Sequence, residues 1–152
     1  MLKVKDKIVL GIIAGIVSNV FVTIIDISFY MLNINKYLHF HVAASAYFPE
    51  SQVYTVPAII IGVTADFTLA AFLGVITTYI LFYTGTDYFY VKGLGVALIF
   101  WQFFYGIFLR LGIARIDPTD SGTNLVHFAI HLILGLLTSW IIARHGILSK
   151  QE

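Results

Sequence analysis

The side chains able to do chemistry in this chain are a few histidines and aspartates set inside apolar sequence. His127 and His131 stand four apart in TNLVHFAIHLILGLLTSWIIA, residues 123–143. On a helix that spacing puts both imidazoles on one face, continued by Gly135 and Ser139, with Asn124 one step earlier. Two histidines at i, i+4 are also how a helix offers two zinc ligands, but the HExxH pattern needs a glutamate where Phe128 stands. His39 and His41 in an earlier loop would add ligands to His127 and His131. The pair alone is too common a coincidence to establish a metal site, and none is expected. Asp66 lies in a strict interval of four with Gly62, Ala70, Gly74 and Thr78, and Asp26 follows Gly11, Gly15, Ser18 and Val22. Each aspartate is thus the carboxylate of a face otherwise made of small residues.

The elements that carry these faces follow from composition. Hydrophobic residues make up 59% and charged residues 11% of the 152, and the mean hydropathy is +0.91. Soluble domains carry about a quarter charged residues, so lipid must be the solvent here. With no cysteine, disulfides, thiolate catalysis and cysteine-ligated metals are excluded. A net charge of +1 without a basic block excludes a nucleic-acid partner. No nucleophile elbow, P-loop or dinucleotide fingerprint is present, so no cofactor is implied, and a non-enzyme is the favoured reading with the question left open.

Four apolar runs are long enough to span, at about residues 8–32, 57–82, 93–111 and 123–143. The first is too long for a signal-peptide core and shows no cleavage pattern, so a retained helix is expected. Residues 37–48, aromatic and too short to span, predict an interfacial or re-entrant helix before Pro49. Residues 83–92 read as a polar connection, and residues 112–122 as a turn in which Thr123 or Asn124 caps the last helix. The fold class is all-α: a four-helix transmembrane bundle with a short interfacial helix in the first outer loop, one domain over 1–152. Gly11 and Gly15 form a GxxxG, and with Gly62, Gly74 and Gly135 they are the candidate close-packing positions.

With the N-terminus inside, the inner side collects Lys3, Lys5, Lys7, Lys92, Arg144 and Lys150, and the outer side Lys36, Arg110 and Arg115. That bias predicts a multi-pass protein of the cytoplasmic (inner) membrane with both termini cytoplasmic. The expected company is the bilayer, then a second copy of the chain or a larger membrane partner.

Helical rise then sets depths. Asn19, Asp66, Gln102 and His131 all fall roughly 12–16 Å from one face or the other of a core about 30 Å thick. Asp26, Arg110 and His127 form a second layer near the outer face. The expected pairs are Asp66 with His131, and Asp26 with Arg110.

The chain resembles the YagU-type small inner-membrane proteins of bacteria. The residues carrying the likeness are Gly11-Ile-Ile-Ala-Gly-Ile-Val-Ser18, Phe72-Leu-Gly74 with Tyr79, Gly93 to Gln102, Leu111-Gly-Ile113, Asp117-Pro118, and His127 or His131. The likeness spans most of the chain in order and helix count, and departs from the family in the first outer loop. It implies the four-helix architecture and no particular reaction.

Three functions fit the polar seam. It binds or passes a proton, cation or small polar solute, since a mid-membrane carboxylate needs a partner, a proton or water. Alternatively its groups hydrogen-bond across helices as packing glue in a non-catalytic scaffold or interaction subunit. Third, His127, His131 and a carboxylate serve a membrane-embedded metal-dependent hydrolase.

Overall fold

The computed structural model describes residues 4–108, 111, 115–116 and 120–146, with the backbone alone for Phe108. It is all-α. Helix α1 runs Lys7–Met31, a short α2 covers His39–Ala44, α3 is Val56–Thr84, α4 is Phe89–Trp101, and α5 is Ser121–His145. Four of these are long and apolar enough to cross a membrane, α4 through its extension to Ile107.

The boundaries have local causes. Asp6 caps α1 by accepting from Val9 N at 2.9 Å. Thr55 precedes α3, with Pro57 in the first turn, where a missing N–H costs nothing. Gly85 stops α3 at φ +83°, a conformation that side chains disfavour. Chain turns at once into α4, which starts earlier than the aromatic, polar composition of residues 83–92 suggests. The cap of α5 is Asp120, not Thr123 or Asn124: its carboxylate accepts from Thr123 N at 3.0 Å and from the Thr123 hydroxyl at 2.9 Å. These bonds hold the Asp120 carboxyl below the usual carboxylate range. From Gln102 to Phe108 the third span widens into a π-helix.

Packing follows the small residues. A side chain at Gly11 would place its Cβ 2.5 Å from Val75 Cα of α3, and one at Gly74 would fall on the Gly11 carbonyl. The α1–α3 crossing is therefore backbone on backbone, the contact lipid-exposed helices use when no hydrophobic force draws them together. Gly135 and Gly93 repeat the device between α5 and α4, each Cβ lying 2.5 Å from the other's carbonyl oxygen. Gly62 meets the backbone of Phe40, which seats α2 on α3. The short helix is thus docked against the bundle, with His41, Val42 and Ala44 buried.

Val22, Leu73, Val96, Ala97, Val126, Ile130 and Leu134 form the central core, and Leu10, Ala14, Leu81 and Ile142 a second cluster toward the chain termini. Val4 N donates to the His145 carbonyl at 3.1 Å, so both ends of the described chain lie at one end of the bundle. The other end carries α2. Outward faces stay apolar, as at Phe21, Ile24, Ile60 and Ile99, all more than half exposed.

Candidate functional site

Asp26 is the last buried residue of the small face of α1, at 1% exposure. Its carboxylate organises the α2 end of the bundle. Oδ2 accepts from the His39 backbone N–H at 2.9 Å and from the His39 ring Nδ1 at 3.0 Å. Oδ1 accepts from Asn35 Nδ2 at 2.7 Å. His127, fully buried on α5, brings Nε2 to 3.6 Å from the same Oδ1. That Nε2 also lies 3.0 Å from the Tyr37 carbonyl, an acceptor only, so it donates there. Nδ1 of His127 is then the acceptor for the Tyr105 hydroxyl at 2.8 Å. Tyr105 sits in the π-helical stretch, one of the wide turns that often mark functional positions.

His131 lies one turn below. Its Nδ1 donates to the His127 carbonyl at 2.7 Å and stands 3.4 Å from His39 Nε2. His39 also packs its ring 4.0 Å from that of His127 and 5.1 Å from that of His131. Three imidazoles and one carboxylate therefore meet where α1, α2 and α5 converge. Within this group Asp26, His39 and His127 each offer a ligand atom, all within 4.8 Å of one another. Asn35 Oδ1 is buried beside them, with no hydrogen-bond partner among the described residues.

A cavity of about 920 Å³ adjoins the cluster. His39, His131 and Tyr105 face it, and so do Asn19 and Asp66. Asp66 accepts from Asn19 Nδ2 at 2.7 Å, a bond between α3 and α1.

The structure thus gathers Asp26, His127, His131 and His39, and it sets Asn19 and Asp66 on the wall of the adjoining cavity. The expected Asp66–His131 pair is not a direct bond: Asn19 satisfies Asp66, and His131 turns to His127 and His39. Gln102 is exposed, with its amide along its own helix beside Gly106. Arg110, the expected partner of Asp26, lies outside the described residues. His41 is held apart from the cluster, between the rings of Phe40 and Tyr54 at 4.7 Å each, and accepts from Leu38 N at 3.3 Å. Burial there pushes its imidazole below the usual histidine range.

No family model, curated protein or solved structure matches the chain. The site must be read from its own chemistry. Asn35, Tyr105 and the Tyr37 carbonyl were not singled out by spacing. Asn35 and Tyr37 lie in a loop with no periodicity, and Tyr105 reaches His127 from a non-α turn.

Proposed function

We propose that this is a membrane-embedded cation-binding protein, whose site for a divalent transition metal is formed by Asp26, His39 and His127. The observation that carries this is the convergence of the three ligand atoms within 4.8 Å in a buried position. Imidazole nitrogen and carboxylate oxygen are the donor set of zinc, at about 2.0–2.2 Å from the metal. Tetrahedral edges at that bond length are about 3.3 Å; Asp26 Oδ2 stands 3.0 Å from His39 Nδ1 and its other oxygen, Oδ1, 3.6 Å from His127 Nε2, so each histidine is near one oxygen of the carboxylate.

In the hydrogen-bonded arrangement His39 Nδ1 and His127 Nε2 both donate. Ligation at those atoms would need the other tautomer of each ring, the proton moving to His39 Nε2 and His127 Nδ1, and the Tyr105 hydroxyl can turn from donor to acceptor to support the latter. Protonation of either ring would occupy its ligand nitrogen, so affinity falls in acid.

Binding is favoured over passage. Toward the chain termini the bundle closes on backbone contacts at Gly11 and Gly74, and the hydroxyls of Thr77 and Thr78 donate to carbonyls of their own helix. A second reading, that the cluster is structural glue in a scaffold or interaction subunit, is favoured by one observation. Asp26 already accepts three hydrogen bonds that tie α2 and its loop to α1.

The proposal extends to topology: the lysine count supports cytoplasmic termini in an inner membrane, which puts the cluster near the outer face. Equilibrium dialysis of purified protein against buffered zinc tests the main reading. One zinc per chain is expected, lost in His39→Ala and Asp26→Asn and retained in His41→Phe. Absence of zinc from the wild type, or equal uptake by His39→Ala, refutes it.

A further inference from the structure

We infer that the cavity beside the metal cluster is a binding site for a long-chain membrane alcohol, with its hydroxyl at Asp66 and its chain along α3. The inference does not depend on the metal. It rests on the cavity's shape, depth and charge.

The cavity follows α3 from Ile61 to Leu73, about 18 Å by helical rise. Asp66 lies within that length, so an occupant headed there has about 10 Å of groove toward Leu73, and the rest of its chain leaves through the open side into lipid. Its volume of about 920 Å³ is in the range of small-molecule sites. Leu69 and Leu73 of α3 face Phe100 and Phe104 of the third span across it. Ile61, Thr64 and Thr68 line it and are also exposed on the outside of the bundle, so it opens sideways, into lipid. Thr64 and Thr68 donate to Ile60 and Thr64 carbonyls of their own helix, which leaves that rim without a polar demand on the bilayer.

The head group is set by the polar wall. Asp66 is ten residues into α3 and His131 ten into α5, so each lies about 15 Å along its span, and an occupant's polar group must sit that deep. A charged head cannot follow its chain to mid-membrane without a counter-charge. Among the described residues no lysine or arginine lines the cavity, while Asp66 faces it and Asp26 stands behind His39. Carboxylate and phosphate heads are therefore repelled. An uncharged hydroxyl fits: it donates its proton to Asp66, whose other bond comes from Asn19, while His131 Nε2, unprotonated because Nδ1 donates to the His127 carbonyl, is a second acceptor on the same cavity wall.

The test uses a diazirine-bearing long-chain primary alcohol, photocross-linked to the full chain in detergent, with labelled peptides mapped. Label is expected on α3 and the third span, competed by the unlabelled alcohol. The matching fatty acid at alkaline pH and lysophosphatidylglycerol should compete about tenfold less well. Ala65→Trp and Ala43→Phe, which fill the cavity from α3 and α2, should abolish labelling while zinc uptake and thermal midpoint stay at wild-type values. Labelling undiminished in both folded variants would overturn the site, and equal competition by the fatty acid would overturn the alcohol head. Zinc uptake by the wild type separates the two readings: no zinc bound with competed labelling present would sink the metal proposal alone, and zinc bound with no competed labelling of the wild type would sink this one alone.

Discussion

Gly15→Ala is the sharpest test of how the bundle holds its polar residues. The new Cβ would fall on the Ala70 carbonyl oxygen, 2.7 Å from its carbon and 3.0 Å from Ala71 Cα. All three atoms are backbone, so no rotamer change relieves the clash and α1 must move off α3 by about 0.5–1 Å, enough to forfeit a quarter to a half of each contact's attraction. Overpacking of this kind costs about 1–3 kcal/mol. One turn along each helix the same movement pulls Asn19 from Asp66, whose 2.7 Å bond to a carboxylate is worth about 1.5–3 kcal/mol. The expected loss is thus about 2–6 kcal/mol if both terms act fully. Reversible unfolding in mixed detergent measures it, with Ile12→Leu, on the exposed face, as the control within about 0.5 kcal/mol of wild type. The double mutant Gly15→Ala/Asn19→Ala should lose less than the sum, because the bond is broken only once. Additive losses, or a silent Gly15→Ala, would refute the shared contact.

The Asp66→Asn and His131→Gln losses should add to within about 0.3–0.5 kcal/mol, since the two residues bond to different partners, and strong coupling between them would contradict the geometry. His41, with its folded pKa depressed by burial, contributes stability present above its ordinary value of 6.5 and lost as pH falls through the folded value. His41→Phe should therefore lose less stability than wild type between neutral and mildly acidic pH, and parallel profiles would exclude that role. Reporter fusions after Asn35 and Asp120 should report one side of the membrane and a fusion after Asp87 the other, and agreement of all three would rule out four spans.

The fold was legible because lipid leaves few alternatives: four apolar runs of sufficient length must be helices, and their glycine periodicity marks the faces that meet. The site was only half legible. His127, His131, Asp26 and the candidate His39 could be found as polar groups in or beside apolar sequence. Their partners could not, because helical rise fixes depth and says nothing about direction around the axis. Asp66 and His131 share a depth, yet α1 stands against α3 and the cavity intervenes, so Asn19 takes the bond. The docking of α2 was hidden as well. Nothing periodic in residues 37–48 tells that His39 turns inward while His41 joins an aromatic cluster. Asp120 as the cap of α5 was masked by better-looking threonine and asparagine candidates a turn later.

Zinc-edge X-ray absorption on protein loaded with one equivalent of zinc tests the central claim most directly. The Asp26–His39–His127 site predicts a first shell of nitrogen and oxygen at about 2.0–2.2 Å in the wild type, with the multiple-scattering signature of at least two imidazoles, whereas His39→Ala, which loses the site, should give the oxygen-only shell of hydrated zinc. An oxygen-only shell in the wild type, or the wild-type spectrum in His39→Ala, would contradict it.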